Sequence, residues 1–224
     1  NDTAERIRQI QGAFWSRLMD GYAIISLREM IHQIGENRVK TILSNFSCPL
    51  NPDVEKFLKS SAITFALQSI APTHMVFSSY RGSIELVGYF TISLKSFFIS
   101  KKSLSNNMRK RITKFGTYDS ELNGYKIPAP LIAQLGKNYN NGLNKLISGD
   151  ELLKFACDKI AMVQQQIGGK VVYIECEDKP KLISFYTTNG FVSFGKRVLD
   201  KDEKNDLCGD YLIQMLKIIK PDEE

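Results

Sequence analysis

The segment that decides the fold reads Phe185-Tyr186-Thr187-Thr188-Asn189-Gly190-Phe191. It follows the strand-like run Tyr173-Ile174-Glu175-Cys176 and then Asp178-Lys179-Pro180, where an aspartate and a proline predict the start of a helix. Asn189-Gly190 predicts the end of that helix, and Phe191 predicts that the chain returns into a strand. The segment therefore indicates a strand–helix–strand unit whose short helix ends in an aromatic pair.

Further strands and helices are predicted on both sides of this unit. Strands are predicted by β-branched and aromatic runs, and helices by apolar residues at steps of three or four. The predicted strands are Tyr22–Ile25, Met75–Tyr80, Ile84–Leu94, Pro130–Lys137, Val171–Cys176, Phe191–Leu199 and Tyr211–Lys217, and the longest predicted helix is Asp150–Ile167. With helices also after Ser26 and Pro52, this order predicts an α/β (α+β) three-layer domain with a mixed, mostly antiparallel sheet of about seven strands flanked by helices.

The composition is that of one globular domain, with 43% hydrophobic and 24% charged residues in 224. Apolar residues recur at helical spacing from Asp2 to Leu18, so we expect a helical extension over 1–20 before a domain over 21–220. No apolar run approaches the roughly 20 residues of a membrane span, and no secretory signal is visible. Four widely spaced cysteines in apolar surroundings predict buried thiols, a reducing compartment and a cytoplasmic protein.

A basic insertion, residues 101–114, lies within a stretch from Leu86 to Tyr118 that contains no Asp or Glu. Its apolar residues recur at steps of three or four and predict a helix packed on the domain; they are Leu104, Met108, Ile112 and Phe115. The seven cations of the stretch are Lys95, Lys101, Lys102, Arg109, Lys110, Arg111 and Lys114. Such a field attracts polyanions, but a solvated basic face without a partner explains the pattern equally well.

The start of the long helix, Ser148-Gly149-Asp150-Glu151, is open to two interpretations. Free backbone N–H groups and the positive end of the helix dipole at such a position bind phosphate groups. Ser148 and Glu151 also have the spacing of a capping box, which occurs in helices of any function. The four residues alone favour the capping box.

The aromatic pair and the Gly-Phe return in residues 185–191 resemble the signature near the C-terminus of GNAT-superfamily acetyltransferases. The predicted element order is also similar to that superfamily from Tyr22 to Lys217. Within it, the chain most resembles the tRNA-acetylating toxins. Their pattern is matched by Phe46, Cys48, Phe57-Leu58, Ala62 and Val87-Gly88-Tyr89, followed by the basic insertion and a Pro-containing strand at Ile127–Leu135. The resemblance implies the GNAT fold and transfer of an acetyl group from acetyl-CoA to an amine.

The resemblance also implies where acetyl-CoA is held: along one strand and at the turn that opens the long helix. The implied cofactor-binding residues are Leu135, Gly136, Lys137, Asn144, Lys145, Ile147, Ser148, Gly149, Asp150 and Lys179. Asn144 stands where Arg or Gln is usual, Ile147 where Gly is usual, and Lys179 where Asn is frequent. The Cβ of Ile147 is expected to crowd the pyrophosphate, and Lys145 to supply positive charge.

Tyr186 stands where related enzymes carry the general acid that protonates the departing CoA thiolate. An unperturbed phenol has a pKa near 10 and still holds its proton at neutral pH. The sequence does not identify a general base: Glu85, Glu175 and a chain of water molecules all remain open. The resemblance implies no metal and no nucleotide cofactor.

The acceptor implied by the closest resemblance is the amino group of aminoacyl-tRNA, with Arg109, Lys110 and Arg111 contacting the tRNA backbone. A small DNA-binding antitoxin is then implied as a partner, and the two terminal strands could support a homodimer. Two alternatives remain open. The chain could acetylate a small amine or a peptide N-terminus, with the basic insertion only solvated, or it could bind CoA or a partner as a scaffold without turnover.

Overall fold

The computed structural model describes residues 21–103, 105–201, 203–205, 207 and 209–219. The predicted N-terminal helical extension, Leu104 and Cys208 lie outside the described residues. The strands are β1 (Tyr22–Ser26), β2 (Thr73–Tyr80), β3 (Ser83–Ser100), β4 (Thr117–Asp119), β5 (Gly124–Lys137), β6 (Val171–Glu177), β7 (Val192–Val198) and β8 (Tyr211–Ile218). The α-helices are α1 (Leu27–Ile34), α2 (Glu36–Ser44), α3 (Pro52–Ser60), α4 (Ala62–Leu67), α5 (Asn106–Ile112), α6 (Gly149–Ile167) and α7 (Pro180–Thr188).

The eight strands form one sheet in the order β1-β2-β3-β5-β6-β8-β7, with β4 paired to β5. The β1–β2, β2–β3, β4–β5, β6–β8 and β7–β8 pairs are antiparallel, whereas β5 and β6 are parallel. The register of the parallel pair places Leu131 opposite Tyr173. The predicted fold class, a mixed and mostly antiparallel sheet flanked by helices, is confirmed.

The predicted ends of two strands are wrong. β3 continues to Ser100 instead of ending at Leu94, and β5 begins at Gly124 instead of Pro130. Serines, lysines and prolines on the exposed positions of these extensions hide the alternation that predicts a strand. The additional strand, β4, has only three residues, too few for a periodicity to be read.

The chain divides into two compact units. The first unit comprises the residues up to Thr91 together with Gln134–Leu152. Its core is built from β1 to β3 and α1 to α4 and includes Ile25, Met30, Leu43, Phe46, Leu58, Met75 and Tyr89. The start of α3 shows how the sequence sets these elements: the Asn51 side chain accepts a hydrogen bond from the Val54 N–H at 3.4 Å, and Pro52 occupies the first turn.

The second unit comprises Ile92–Ala133 together with the chain from Leu153 onward. Its core has an aromatic centre in which Phe97 lies 4.9 Å from Tyr173 and 4.6 Å from Phe194, measured between ring centroids. From the basic insertion, Ile112 is buried in this core, and Met108 and Phe115 pack against it. The predicted packing stripe of the insertion is therefore confirmed for its described members. No helix among the described residues is long and apolar enough to cross a membrane.

Gly124, the first residue of β5, lies very close to the C-terminal part of β3 in the second unit. A Cβ added there would lie 2.2 Å from the Phe98 Cζ atom and 2.6 Å from the Ile99 carbonyl oxygen. We expect Gly124→Ala to lower the free energy of unfolding by about 1–3 kcal/mol, because a backbone atom cannot move aside cheaply. Urea unfolding measures this change.

Gly195→Ala is the matched control. An added Cβ at Gly195 meets no backbone atom and only the Oε1 atom of Gln214, at 3.2 Å, so a shift of a few tenths of an ångström in that side chain relieves the contact. The control should lose much less stability, and equal losses in the two variants would contradict the close approach at Gly124.

Candidate active site

The carboxyl end of β5 carries three of the predicted cofactor residues, and two of them, Gly136 and Lys137, have clear structural roles. Gly136 is buried, and a Cβ added there would lie 2.4 Å from Val54 Cγ1 on α3. Lys137 donates from Nζ to the carbonyl oxygens of Asn144 at 3.0 Å and Ile147 at 3.1 Å. The ammonium group of Lys137 thus fixes the backbone that leads into α6 and places a positive charge beside it.

The chain between β5 and α6, residues 138–148, is the β5–α6 turn. Asn138, for which the sequence predicts no role, holds the start of this turn in place. Its buried side chain accepts the N–H groups of Ser47 and Asn140, each at 3.0 Å, and donates to the Leu86 carbonyl at 2.9 Å. Asn141 follows with a φ of 50°, a left-handed conformation that asparagine tolerates better than most residues. The Asn- and Gly-rich composition of the segment indicates a turn, but not the buried amide.

The start of α6 is a reciprocal capping box, as one of the two interpretations predicted. The Ser148 N–H donates to Glu151 Oε2 at 2.8 Å, and the Glu151 N–H donates to Ser148 Oγ at 3.0 Å. The hydrogen bonds from the Ser148 backbone and side chain hold the pKa of Glu151 below its usual value. The carboxylate is therefore ionised at neutral pH and satisfies the Ser148 backbone N–H.

The side chain of Tyr22, on β1, also contacts the β5–α6 turn, and the sequence did not predict this contact. Its hydroxyl donates to the Leu146 carbonyl at 2.7 Å and lies 3.3 Å from Glu151 Oε1. Burial, followed by the negative charge of Glu151, raises the pKa of Tyr22. A tyrosine more than 120 positions from the turn gives no local sequence signal, so only the fold reveals it.

The remaining predicted cofactor residues differ in exposure. Ile147, whose Cβ is expected to crowd the pyrophosphate, is buried. Leu135 and Asn144 are half-buried, and Lys145 and Asp150 are exposed. In the second unit, Lys179 donates to Glu177 Oε2 at 2.6 Å, an ion pair beside the first residue of α7.

Tyr186, the predicted general acid, lies on α7 in the second unit. Its half-buried ring packs edge-on against Phe185 and Phe191, with centroids 5.0 and 5.7 Å away. Its hydroxyl forms no hydrogen bond with a described residue, and no buried side-chain oxygen or nitrogen of the described residues lacks a partner. The hydroxyl is therefore not completely shielded from solvent. Burial of the phenol, followed by the nearby thiols of Cys176 and Cys157, raises the pKa of Tyr186, so the phenol stays protonated.

No protein-family model matches the sequence, and no curated protein matches it significantly. Among solved structures, a bacterial toxin is similar with a TM-score of 0.56 and 19% identity, covering 88% of this chain and 90% of the toxin. The AtaT toxin complexed with acetyl-methionyl-tRNAfMet is similar with a TM-score of 0.56 and 16% identity, covering 86% and 93%.

A third similar structure is a tyrosine-to-phenylalanine mutant of AtaT bound to acetyl-CoA and the C-terminus of the antitoxin AtaR. Its TM-score is 0.54 at 13% identity, and the match covers 88% of this chain and 93% of the toxin. Similarity over nearly the full length of each structure decides the architecture. The chain has the GNAT fold.

The residues that resemble the toxin branch of the GNAT superfamily lie together in the core of the first unit. Phe46, Cys48, Leu58, Ala62 and Tyr89 all belong to one buried cluster. The Tyr89 hydroxyl donates to the Val54 carbonyl at 2.6 Å, and its ring lies edge-on to Phe46 with centroids 5.3 Å apart. These five residues therefore specify how the core of the GNAT fold packs, and none of their side chains is placed for a catalytic role.

Glu175, one of the two carboxylates considered as a general base, has strong partners. Its Oε2 accepts from Arg197 Nε at 2.8 Å, and its Oε1 accepts from Gln214 Nε2 at 2.8 Å. Arg197 also donates from both terminal nitrogens to Glu203, at 2.7 and 2.8 Å. Glu175 is thus part of a structural network of the GNAT sheet, and both of its oxygens accept hydrogen bonds within it.

The three basic residues predicted to bind substrate differ in their contacts. Arg109 is half-buried and donates to the Lys101 carbonyl at 2.9 Å and to Asn106 Oδ1 at 2.8 Å. Lys110 and Arg111 are exposed and form no ion pair within the described residues. Arg109 therefore makes its hydrogen bonds within the insertion, whereas the charged groups of Lys110 and Arg111 lie in solvent. Across the described residues, no cluster of His, Cys, Asp or Glu could hold a metal ion.

The Arg197–Glu203 pair predicts a pH-dependent stability. Hydrogen bonds from Arg197 lower the pKa of Glu203, so the stabilisation is present above the unfolded pKa of glutamate and is lost as pH falls through the folded pKa. We expect Glu203→Gln to be less stable than the wild type by about 1 kcal/mol at pH 7, and the difference to shrink below pH 4. Urea unfolding across this pH range measures the difference in stability.

Glu36→Gln is the control, since it removes an exposed ion pair with Lys40. It should change stability little at any pH, and a similar pH profile in both variants would contradict the prediction.

Proposed function

We propose that this chain is an acetyl-CoA-dependent N-acetyltransferase in which Tyr186 is the general acid. The observation that carries the proposal is the Tyr186 hydroxyl, which is protonated and without a protein partner in the described residues. It lies on the helix after β6 in a GNAT fold. A ring that serves only packing at this half-buried position needs no hydroxyl.

The residues of the β5–α6 turn fit the phosphate groups of acetyl-CoA. α6 has 19 residues, so the positive end of a long helix dipole stands at Gly149, next to the ammonium group of Lys137. Ile147 is buried, so its side chain does not cover the surface of the turn. Leu135 and Gly136 on β5 would hydrogen-bond the pantetheine arm, and Lys145 and Asp150 lie at the exposed rim of the turn.

Bound acetyl-CoA would supply the thioester whose carbonyl carbon the acceptor amine attacks. Backbone N–H groups at the end of β5 would stabilise the charge that develops on the carbonyl oxygen. Tyr186 would then transfer its phenolic proton to the departing sulfur and later recover a proton from solvent. Because Glu175 is engaged by Arg197 and Gln214, proton removal from the amine is assigned to Glu85 or to water.

The acceptor we propose is the amino group of aminoacyl-tRNA. The supporting observation is the exposed, unpaired charge of Lys110 and Arg111, in a stretch without acidic residues from Leu86 to Tyr118. The similar AtaT toxin has been solved with acetyl-methionyl-tRNAfMet, and an AtaT mutant with the antitoxin AtaR and acetyl-CoA. By analogy we propose a cytoplasmic toxin with an antitoxin partner, and a homodimer formed through the exposed edge strand β7, whose Val192 and Val198 face solvent.

Tyr186→Phe tests the general acid. The ring keeps its packing on Phe185 and Phe191, so the variant should fold and bind acetyl-CoA as the wild type does, while kcat falls by about 10²- to 10⁴-fold. Acetyl transfer from radiolabelled acetyl-CoA to charged tRNA measures kcat, and isothermal titration measures binding. Tyr80→Phe, on β2 of the first unit, is the control. Unchanged kcat in Tyr186→Phe would refute the assignment of the acid, and no turnover in the wild type with tRNA or small amines would favour the scaffold.

The double variant Lys110→Ala/Arg111→Ala tests the acceptor. It should weaken tRNA binding and reduce the slope of log K against log salt by about 2, because two phosphate contacts are lost. Arg109 is left in place, since it holds the insertion together. The control Lys40→Ala/Lys154→Ala removes the same charge from residues already paired with Glu36 and Asp158. If acetyl transfer and its salt dependence survive the first change, a small-amine acceptor is favoured.

A further inference from the structure

The turn before α6 already contains an anion: the carboxylate of Glu151. One carboxylate oxygen accepts the Ser148 N–H at 2.8 Å, and the other lies 3.3 Å from the Tyr22 hydroxyl. The charge of Lys137 acts on the same carboxylate and favours its ionised form. A backbone donor, a hydroxyl and a cation thus converge on one negative group at the N-terminus of a long helix.

A phosphate group bound at this turn would need the same interactions. Helix N-termini bind phosphate through backbone N–H groups, and the Ser148 N–H is engaged by Glu151. Two negative groups at one donor also repel each other. Binding of a phosphate to the Ser148 N–H therefore requires the Glu151 carboxylate to move away.

We propose that Glu151 competes internally with the phosphate groups of the cofactor for the Ser148 N–H and thereby sets the affinity for CoA. This inference rests on the proposed function, because it assumes that the turn binds the CoA phosphates. The turn itself does not have to open when the carboxylate leaves. Tyr22 continues to hold the Leu146 carbonyl at 2.7 Å, and Lys137 continues to hold the Ile147 carbonyl at 3.1 Å. Tyr22 is thus a positioning residue for the turn.

Glu151→Gln separates this competition from an ordinary capping role. Glutamine retains an oxygen that accepts the Ser148 N–H, so the capping box and the helix start are preserved. It carries no charge, so it yields the N–H to a phosphate more easily. An ordinary cap predicts equal CoA affinity in the two proteins, whereas internal competition predicts tighter binding in the variant.

Isothermal titration of CoA into the full chain, the Glu151→Gln variant and the Asp158→Asn variant is the test. Asp158→Asn removes the same charge from the exposed face of α6, where Asp158 pairs with Lys154. We expect Glu151→Gln to bind CoA about two- to tenfold more tightly than the wild type, the range for one charge near a helix N-terminus. Asp158→Asn should bind as the wild type does. Pantetheine, which has no phosphate, should bind all three proteins equally.

Equal CoA affinity in the wild type and Glu151→Gln would overturn the inference, as would an equal gain in Asp158→Asn or an equal gain for pantetheine. A failure of the proposed function gives a different result, in which none of the three proteins binds CoA. Inorganic pyrophosphate then tests the turn alone: tighter binding to Glu151→Gln would support the competition, and equal binding would overturn it. Urea unfolding of each variant confirms that the compared proteins are folded.

Discussion

The approach of β5 to α3 at Gly136 is the constraint on which the geometry of the candidate cofactor turn depends. A side chain at this position would overlap Val54, and the carbonyl of the same Val54 accepts the buried Tyr89 hydroxyl. Gly88 is also restricted, though less severely, since an added Cβ would lie 3.0 Å from the Gly136 carbonyl oxygen. Two glycines and one tyrosine therefore set how closely two strands and a helix pack in the first unit.

The turn takes its position from this packing. Lys137 and Asn138 directly follow Gly136, and each bonds groups that are distant in sequence or that close the turn. β5 sets the direction of these two side chains. The ammonium group of Lys137 therefore binds the carbonyl oxygens of Asn144 and Ile147, while the core holds the Lys137 backbone. The N-terminus of α6 is consequently presented by a rigid element, which is the arrangement that an accurately placed anion site requires.

Interactions between residues close in the sequence were predictable, and those between distant residues were not. The capping box of α6 was readable because Ser148 and Glu151 are three positions apart, and the fold class was readable because helix and strand periodicities are local. The contact of Tyr22 with Glu151 and the network of Glu175 with Arg197 join residues brought together only by strand pairing. Glu175 stayed open as a candidate base in the sequence, since no local pattern reveals the arginine that faces it. β3 was predicted too short because exposed serines and a lysine interrupt its apolar alternation, although Phe97 and Ile99 inside it are buried.

The two tyrosines, Tyr89 and Tyr186, illustrate how packing and chemistry can be told apart in this fold. Tyr89 is fully buried, and its hydroxyl is satisfied by the Val54 carbonyl, as burial of a polar group requires. Tyr186 has its ring held by Phe185 and Phe191, yet its hydroxyl has no protein partner in the described residues. A phenylalanine would give the same ring contacts. The hydroxyl of Tyr186 therefore contributes little to the described packing, and this supports a role in binding or proton transfer.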